Sequence, residues 1–108
     1  MLFVARFTDK PGIAERREEL LQDHFDWLAN SDQVLLAGSL RTDVGGDSLG
    51  GLWIIEADSK EDAEAAYQAD PFFANGLRAN VELYHYVKAN AERKVMTMVS
   101  RWRWARAQ

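Results

Sequence analysis

Two side chains of this sequence have the types needed to move a proton between them and a ligand: His24 and Asp70. An imidazole titrates near neutrality and can serve as base or acid, provided a second group orients the ring and selects its tautomer. A carboxylate is the natural orienter. His24 lies in a run where Leu20, Leu21, His24, Phe25 and Leu28 recur at three- and four-residue spacing, the apolar stripe of a helix. A histidine on such a stripe is also a common structural residue. Asp70 stands in "QADPFFANG", directly before Pro71. Aspartate followed by proline is the local signature of a helix start, with Asp70 at the N-cap and Pro71 at the first helical position. A capping carboxylate keeps a second oxygen, so capping and orienting a histidine are compatible roles.

Other residues are candidates for a binding wall. Arg6 and Glu56 are charges inside otherwise apolar segments, so each must be paired, project at a strand end, or meet a ligand. Arg6 would suit a carboxylate. Ser39 closes the "LLAGS" run and offers a hydroxyl, while Phe72, Phe73 and Tyr84 supply aromatic surface. His85, flanked by Tyr84 and Tyr86 and on the face of Val81, Leu83 and Val87, reads as a core histidine. No metal or cofactor is expected. The two histidines stand 61 positions apart with no HExxH motif, and the glycines of "VGGDSLGG" lack the strand-to-helix setting and lysine of a phosphate loop. With no cysteine, thiol catalysis and disulfides are excluded.

The elements that must position these groups follow from patterning. "LFVARFT" (2–8), "QVLLAGSL" (33–40), "LWIIEA" (52–57) and "NVELYHYVKA" (80–89) read as strands, and "RTDVGGDSLGG" (41–51) as a flexible glycine-rich connection. The helical spacing runs from Ile13 to about Asn30, and a second helix over 58–69 opens on Ser59 as N-cap with Asp62 three residues on. The order β-α-β-β-α-β is that of a ferredoxin-like α+β sandwich, a four-stranded antiparallel sheet with both helices on one face. The strands are apolar on both sides: Phe3, Ala5 and Phe7 oppose Leu2 and Val4, and Trp53 and Ile55 oppose Leu52 and Ile54. A sheet with two apolar faces and helices for only one predicts a homodimer packed sheet to sheet, closing into a dimeric α/β barrel.

The 108 residues suit one domain over 1–92, followed by a basic extension over 93–108. Residues 1–92 hold all 17 acidic groups and 8 of the 13 Lys and Arg, a net charge of −9. That balance argues against a nucleic-acid partner for the body of the chain. The extension holds 5 basic groups and no acidic one, with arginine interleaved with tryptophan in "RWRWAR". An arm folded over the acidic body, its own or a partner's, accounts for this split. No apolar run approaches the roughly 20 residues of a membrane span, and "MLFVARFTDK" lacks the features of a cleaved leader. No membrane partner and a cytoplasmic location are therefore expected.

"MLFVARFTDKPG", "HFDWL", "LLAGSL" and "ADPFFANG" together resemble the YciI-like proteins, small bacterial proteins of the dimeric α/β-barrel class, over about residues 1–90. The resemblance implies a paired histidine and aspartate in a pocket, which map to His24 and Asp70. It also implies chemistry of the kind one relative performs, elimination of chloride from a chlorinated hydroxyquinol. Two positions depart from the family pattern. Leu21 stands where an arginine is frequent, and Gly38-Ser39 stands where Gly-Pro is usual. The expected function is a cofactor-independent lyase- or hydrolase-type enzyme acting on a small, oxygenated, cyclic metabolite. A non-catalytic ligand-binding module and a cofactor-free oxygenase of the same fold are the alternatives.

Overall fold

The computed structural model of the chain describes residues 1–90, so the basic extension lies outside the described residues. The elements run β1 (Leu2–Asp9), α1 (Ala14–Ala29), β2 (Val34–Arg41), β3 (Ser48–Glu56), α2 (Lys60–Gln68), α3 (Pro71–Ala74) and β4 (Arg78–Tyr86). The strands form one antiparallel sheet in the order β2-β3-β1-β4. This is the ferredoxin-like arrangement that the alternation of strand and helix patterns predicts.

Strand alternation divides the sheet into two faces. Phe3, Ala5 and Phe7 of β1 and Trp53 and Ile55 of β3 are buried, and they pack with Ala63, Ala66 and Tyr67 of α2 and with Trp27 and Leu28 of α1. The rings interlock edge to face: Phe7 lies 4.9 Å from Trp53 and 5.4 Å from Tyr67, centroid to centroid. A second, smaller cluster joins Leu20 of α1 to Phe72 of α3 and to Leu77. On the other face no helix among the described residues covers Leu2, Val4, Leu52 and Ile54, which remain half-buried, while Tyr84 and Tyr86 are exposed.

Two boundaries and the burial of one residue differ from the sequence expectation. β3 begins at Ser48, so "SLGG" belongs to the strand and not to a loose connection. The reason is close approach: a Cβ on Gly50 would sit 1.8 Å from the Phe7 carbonyl oxygen, so only glycine lets β3 run alongside β1 there. β4 starts earlier, at Arg78, through an irregular register in which Thr8 pairs with Asn80 but Asp9 pairs with Arg78. Finally, His85 is exposed and not in the core. It follows the face of Val81 and Leu83, but it stands at the sheet's end, where its ring meets that of Phe3 with centroids 5.3 Å apart.

Candidate functional site

α1 and α3 meet over one end of the sheet, and their junction carries His24 and Asp70. His24 is buried because its position on the apolar stripe of α1 turns it toward Trp53. Its ring stacks on Phe72 at 3.9 Å with the planes 9° apart. Asp70 is the residue before Pro71, with the extended backbone of an N-cap (φ −63°, ψ 134°), yet its side chain makes no capping hydrogen bond. The carboxylate is instead turned inward, 1 % exposed, with Oδ1 2.5 Å from His24 Nδ1. With Asp70 ionised, the Nδ1–H donates to Oδ1, which fixes the tautomer and leaves Nε2 as the free ring nitrogen. Gly76, in the left-handed region at φ +74°, then reverses the chain into β4.

The second oxygen of Asp70 has no hydrogen bond among the described residues and lies 4.0 Å from the guanidinium of Arg78. Arg78 is itself almost wholly buried, donates to Asp9 Oδ1 at 2.7 Å, and packs its guanidinium carbon 4.5 Å from the Phe7 ring centroid and 5.3 Å from that of Phe72. The buried cation thus serves two carboxylates at once, which offsets part of the cost of removing them from water.

Beside this cluster opens a cavity of about 240 Å³, walled by Leu21, Phe25 and Leu28 from α1 and by Ala37, Ser39 and Trp53 from the sheet, with His24 and Phe72 between them. Arg17, Arg41 and Arg78 also line it, as do Gly50 and Gly51. Of the residues singled out from sequence, His24, Ser39 and Phe72 line the cavity, and Asp70 reaches it only through its bond to His24. Arg6, Phe73 and Tyr84 do neither. Arg6 points to the uncovered face, pairs with Glu82 at 2.9 Å, and borders a different cavity of about 510 Å³ with Lys10, Leu40 and Leu49. Tyr84 lies on that same face and donates to Glu82 Oε2 at 2.7 Å. Phe73 packs edge to face on Tyr67. Glu56 ends β3 and is exposed.

The residues that sequence reasoning missed are the arginines. Arg17 carries a readable signal: it stands seven positions before His24 and four before Leu21, on the same side of α1. Arg78 carries none, because strand alternation from Val81 and Leu83 puts Ala79 on the helix face; the extra residue at the Thr8/Asp9 irregularity puts Arg78 there instead. Among the described residues no group of three or more His, Asp or Glu is placed to hold a metal ion, and no helix is long and apolar enough to cross a membrane.

A family model, the YCII-related domain, matches residues 1–87. Among solved structures, the chain resembles 5-chloro-2-hydroxyhydroquinone dehydrochlorinase (TftG) from Burkholderia phenoliruptrix AC1100, determined in complex with 2,5-dihydroxybenzoquinone. The match has 25% identity and a TM-score of 0.72, covering 87% of this chain and 100% of that one. A Bacteroides thetaiotaomicron protein of the antibiotic biosynthesis monooxygenase type shares the fold at 17% identity and TM-score 0.54, covering 88% and 94% of the two chains. A NIPSNAP domain protein from Burkholderia xenovorans does so at 14% identity and TM-score 0.51, covering 87% and 100%. Comparison with curated proteins gives no match.

Proposed function

The chain belongs to the YCII-related family, and from that premise we propose that it is an enzyme in which His24 and Asp70 transfer a proton on a small, oxygenated ring. The observation that carries this reading is the hydrogen bond between His24 Nδ1 and the buried Asp70 carboxylate, made at the wall of a cavity. Nε2 carries the proton of one ring hydroxyl to the ring carbon that bears the leaving group, making that carbon tetrahedral and the oxygen a carbonyl. Nε2 then takes the proton of a second ring hydroxyl, whose electron pair moves through the ring and expels the leaving group, and the imidazolium passes this proton to solvent. Asp70 keeps the ring in the tautomer with Nε2 unprotonated and stabilises the imidazolium that forms. Phe72 holds the imidazole plane, Ser39 offers a hydroxyl to a substrate oxygen, and Trp53 supplies an apolar wall. Arg6, Phe73 and Tyr84 take no part in this step. The likeness to a dehydrochlorinase supports elimination as the reaction class.

The same proposal seats a second copy of the chain on the sheet face where Leu2, Val4, Leu36, Leu52 and Ile54 present an apolar surface that no helix among the described residues covers. Val4→Asp should shift sedimentation from dimer to monomer, and a wild-type chain that sediments as a monomer at micromolar concentration removes this part of the reading.

The catalytic part is tested with 5-chloro-2-hydroxyhydroquinone as the probe, following chloride release by ion chromatography and oxygen uptake by electrode. Chloride release without oxygen uptake is expected, falling by about 10²-fold or more in His24→Ala with circular dichroism unchanged. Full activity in that variant would sink the proposal, oxygen consumption would favour an oxygenase, and ligand stabilisation without turnover would favour a binding module.

A further inference from the structure

The groups left over in the cavity are all cationic. Three arginines line it, and none of its lining residues carries a carboxylate. This is an inversion of the surrounding charge, since residues 1–92 are net negative by nine. Arg78 is committed to Asp9 and lies beside Asp70, but the other two have no acidic partner among the described residues. Arg17 rests its guanidinium carbon 5.3 Å from the Phe72 ring centroid, with Nε buried and making no hydrogen bond. Arg41 is braced from the opposite wall by two neutral acceptors, donating from Nε to Ser39 Oγ at 3.1 Å and from Nη1 to the Gly46 carbonyl at 2.8 Å. A guanidinium presents a planar fork matched to a carboxylate, and two of them lining one cleft concentrate anions there.

From these unspent cations we infer that the ligand is a single-ring carboxylate, its carboxylate held by Arg17 and Arg41 and its ring lying against Trp53, Leu21 and Leu28. The volume agrees: about 240 Å³ lies below the roughly 300–1,000 Å³ of sites that take drug-sized ligands, and so admits one ring. Clamping the carboxylate leaves the far side of the ring to Nε2 of His24. The inference takes its reacting partner from the proton-transfer reading above, but its anion selectivity is read by binding alone and so fails or stands separately.

The probes are 2,5-dihydroxybenzoate and its neutral isostere 2,5-dihydroxybenzamide, titrated by calorimetry at neutral pH and constant ionic strength. A charge-assisted pair should favour the acid over the amide by about 10-fold or more. Arg17→Gln and Arg41→Gln should each shrink that ratio and the double variant bring it close to one, while Arg17→Lys retains part of it. His24→Gln should abolish turnover and leave the ratio intact, separating loss of the proton-transfer reading from loss of this one. Equal affinities for acid and amide, a ratio untouched by the double variant, or no binding of the acid at millimolar concentration overturns the inference.

Discussion

β1 and β4 carry one ion pair on each face of the sheet, and the two pairs have opposite surroundings. On the helix-covered face Arg78 joins Asp9 at 2.7 Å, with both side chains more than nine-tenths buried and Asp70 next to them. On the open face Arg6 joins Glu82 at 2.9 Å, with the arginine side chain 56% exposed. The chemistry of the pairs is the same and their length nearly so. What differs is the water around them. A buried charge that loses its partner cannot fall back on solvent, whereas an exposed one can. The contrast therefore locates the charges whose arrangement the fold must maintain, and the cation among them, Arg78, borders the cavity.

Replacing the arginine of each pair tests this. Arg78→Met strands the buried Asp9 carboxylate and leaves Asp70 with His24 alone, and should cost about 3–5 kcal/mol of folding stability, read from urea or thermal unfolding. Arg6→Met should cost at most about 1 kcal/mol. Equal losses would break the comparison. A loss at Arg6 that is larger at high protein concentration and shrinks on dilution would sharpen it, because a second copy over the open face would then be what buries that pair.

The same contrast shows what could be read from sequence. The order of elements was legible because each announces itself locally: alternation in β1, three- and four-residue spacing in α1, and Ser59 ahead of α2, where its hydroxyl accepts from the Asp62 N–H at 3.1 Å. His24 was legible as an inward residue for the same reason. Asp70 was half legible. The local rule places it correctly at an N-cap position, but a rule about backbone donors cannot know that a tertiary partner 46 residues away competes for the carboxylate and wins. Arg78 was hidden because one extra residue in β4 reverses which side chains face inward, and that slip is a property of the pairing with β1. The Gly50–Gly51 pair read as a loop because its reason is the neighbouring strand's backbone.

Two helix starts separate local from tertiary roles more finely. Asp70→Ser keeps a good N-cap residue but removes the partner of a buried imidazole, and should cost about 1–3 kcal/mol. A cost near zero would mean that the carboxylate's inward bond contributes nothing to the fold. A double-mutant cycle with His24→Ala should recover most of that loss as coupling between the two side chains. Ser59→Ala, by contrast, removes a bond that does cap its helix and should cost about 1 kcal/mol, with no coupling to His24.

The smallest effect belongs to the open face and is read by pH. Tyr84 donates to Glu82, and that hydrogen bond, followed by the nearby Glu82 charge, pushes the phenol above its ordinary range, with Arg6 pulling slightly the other way. Because the folded value is raised, whatever stability the bond contributes is fully present below the ordinary tyrosine range, near pH 10, and is lost as pH climbs through the folded value. In Glu82→Gln both raising influences weaken together, so phenolate absorbance should develop at lower pH in the variant than in the wild type. Identical titration curves would mean that the Tyr84–Glu82 contact is not made in solution. A wild-type curve displaced further upward as protein concentration rises would place Tyr84 under a second copy of the chain, and the open face would then be no more open than the one that carries His24.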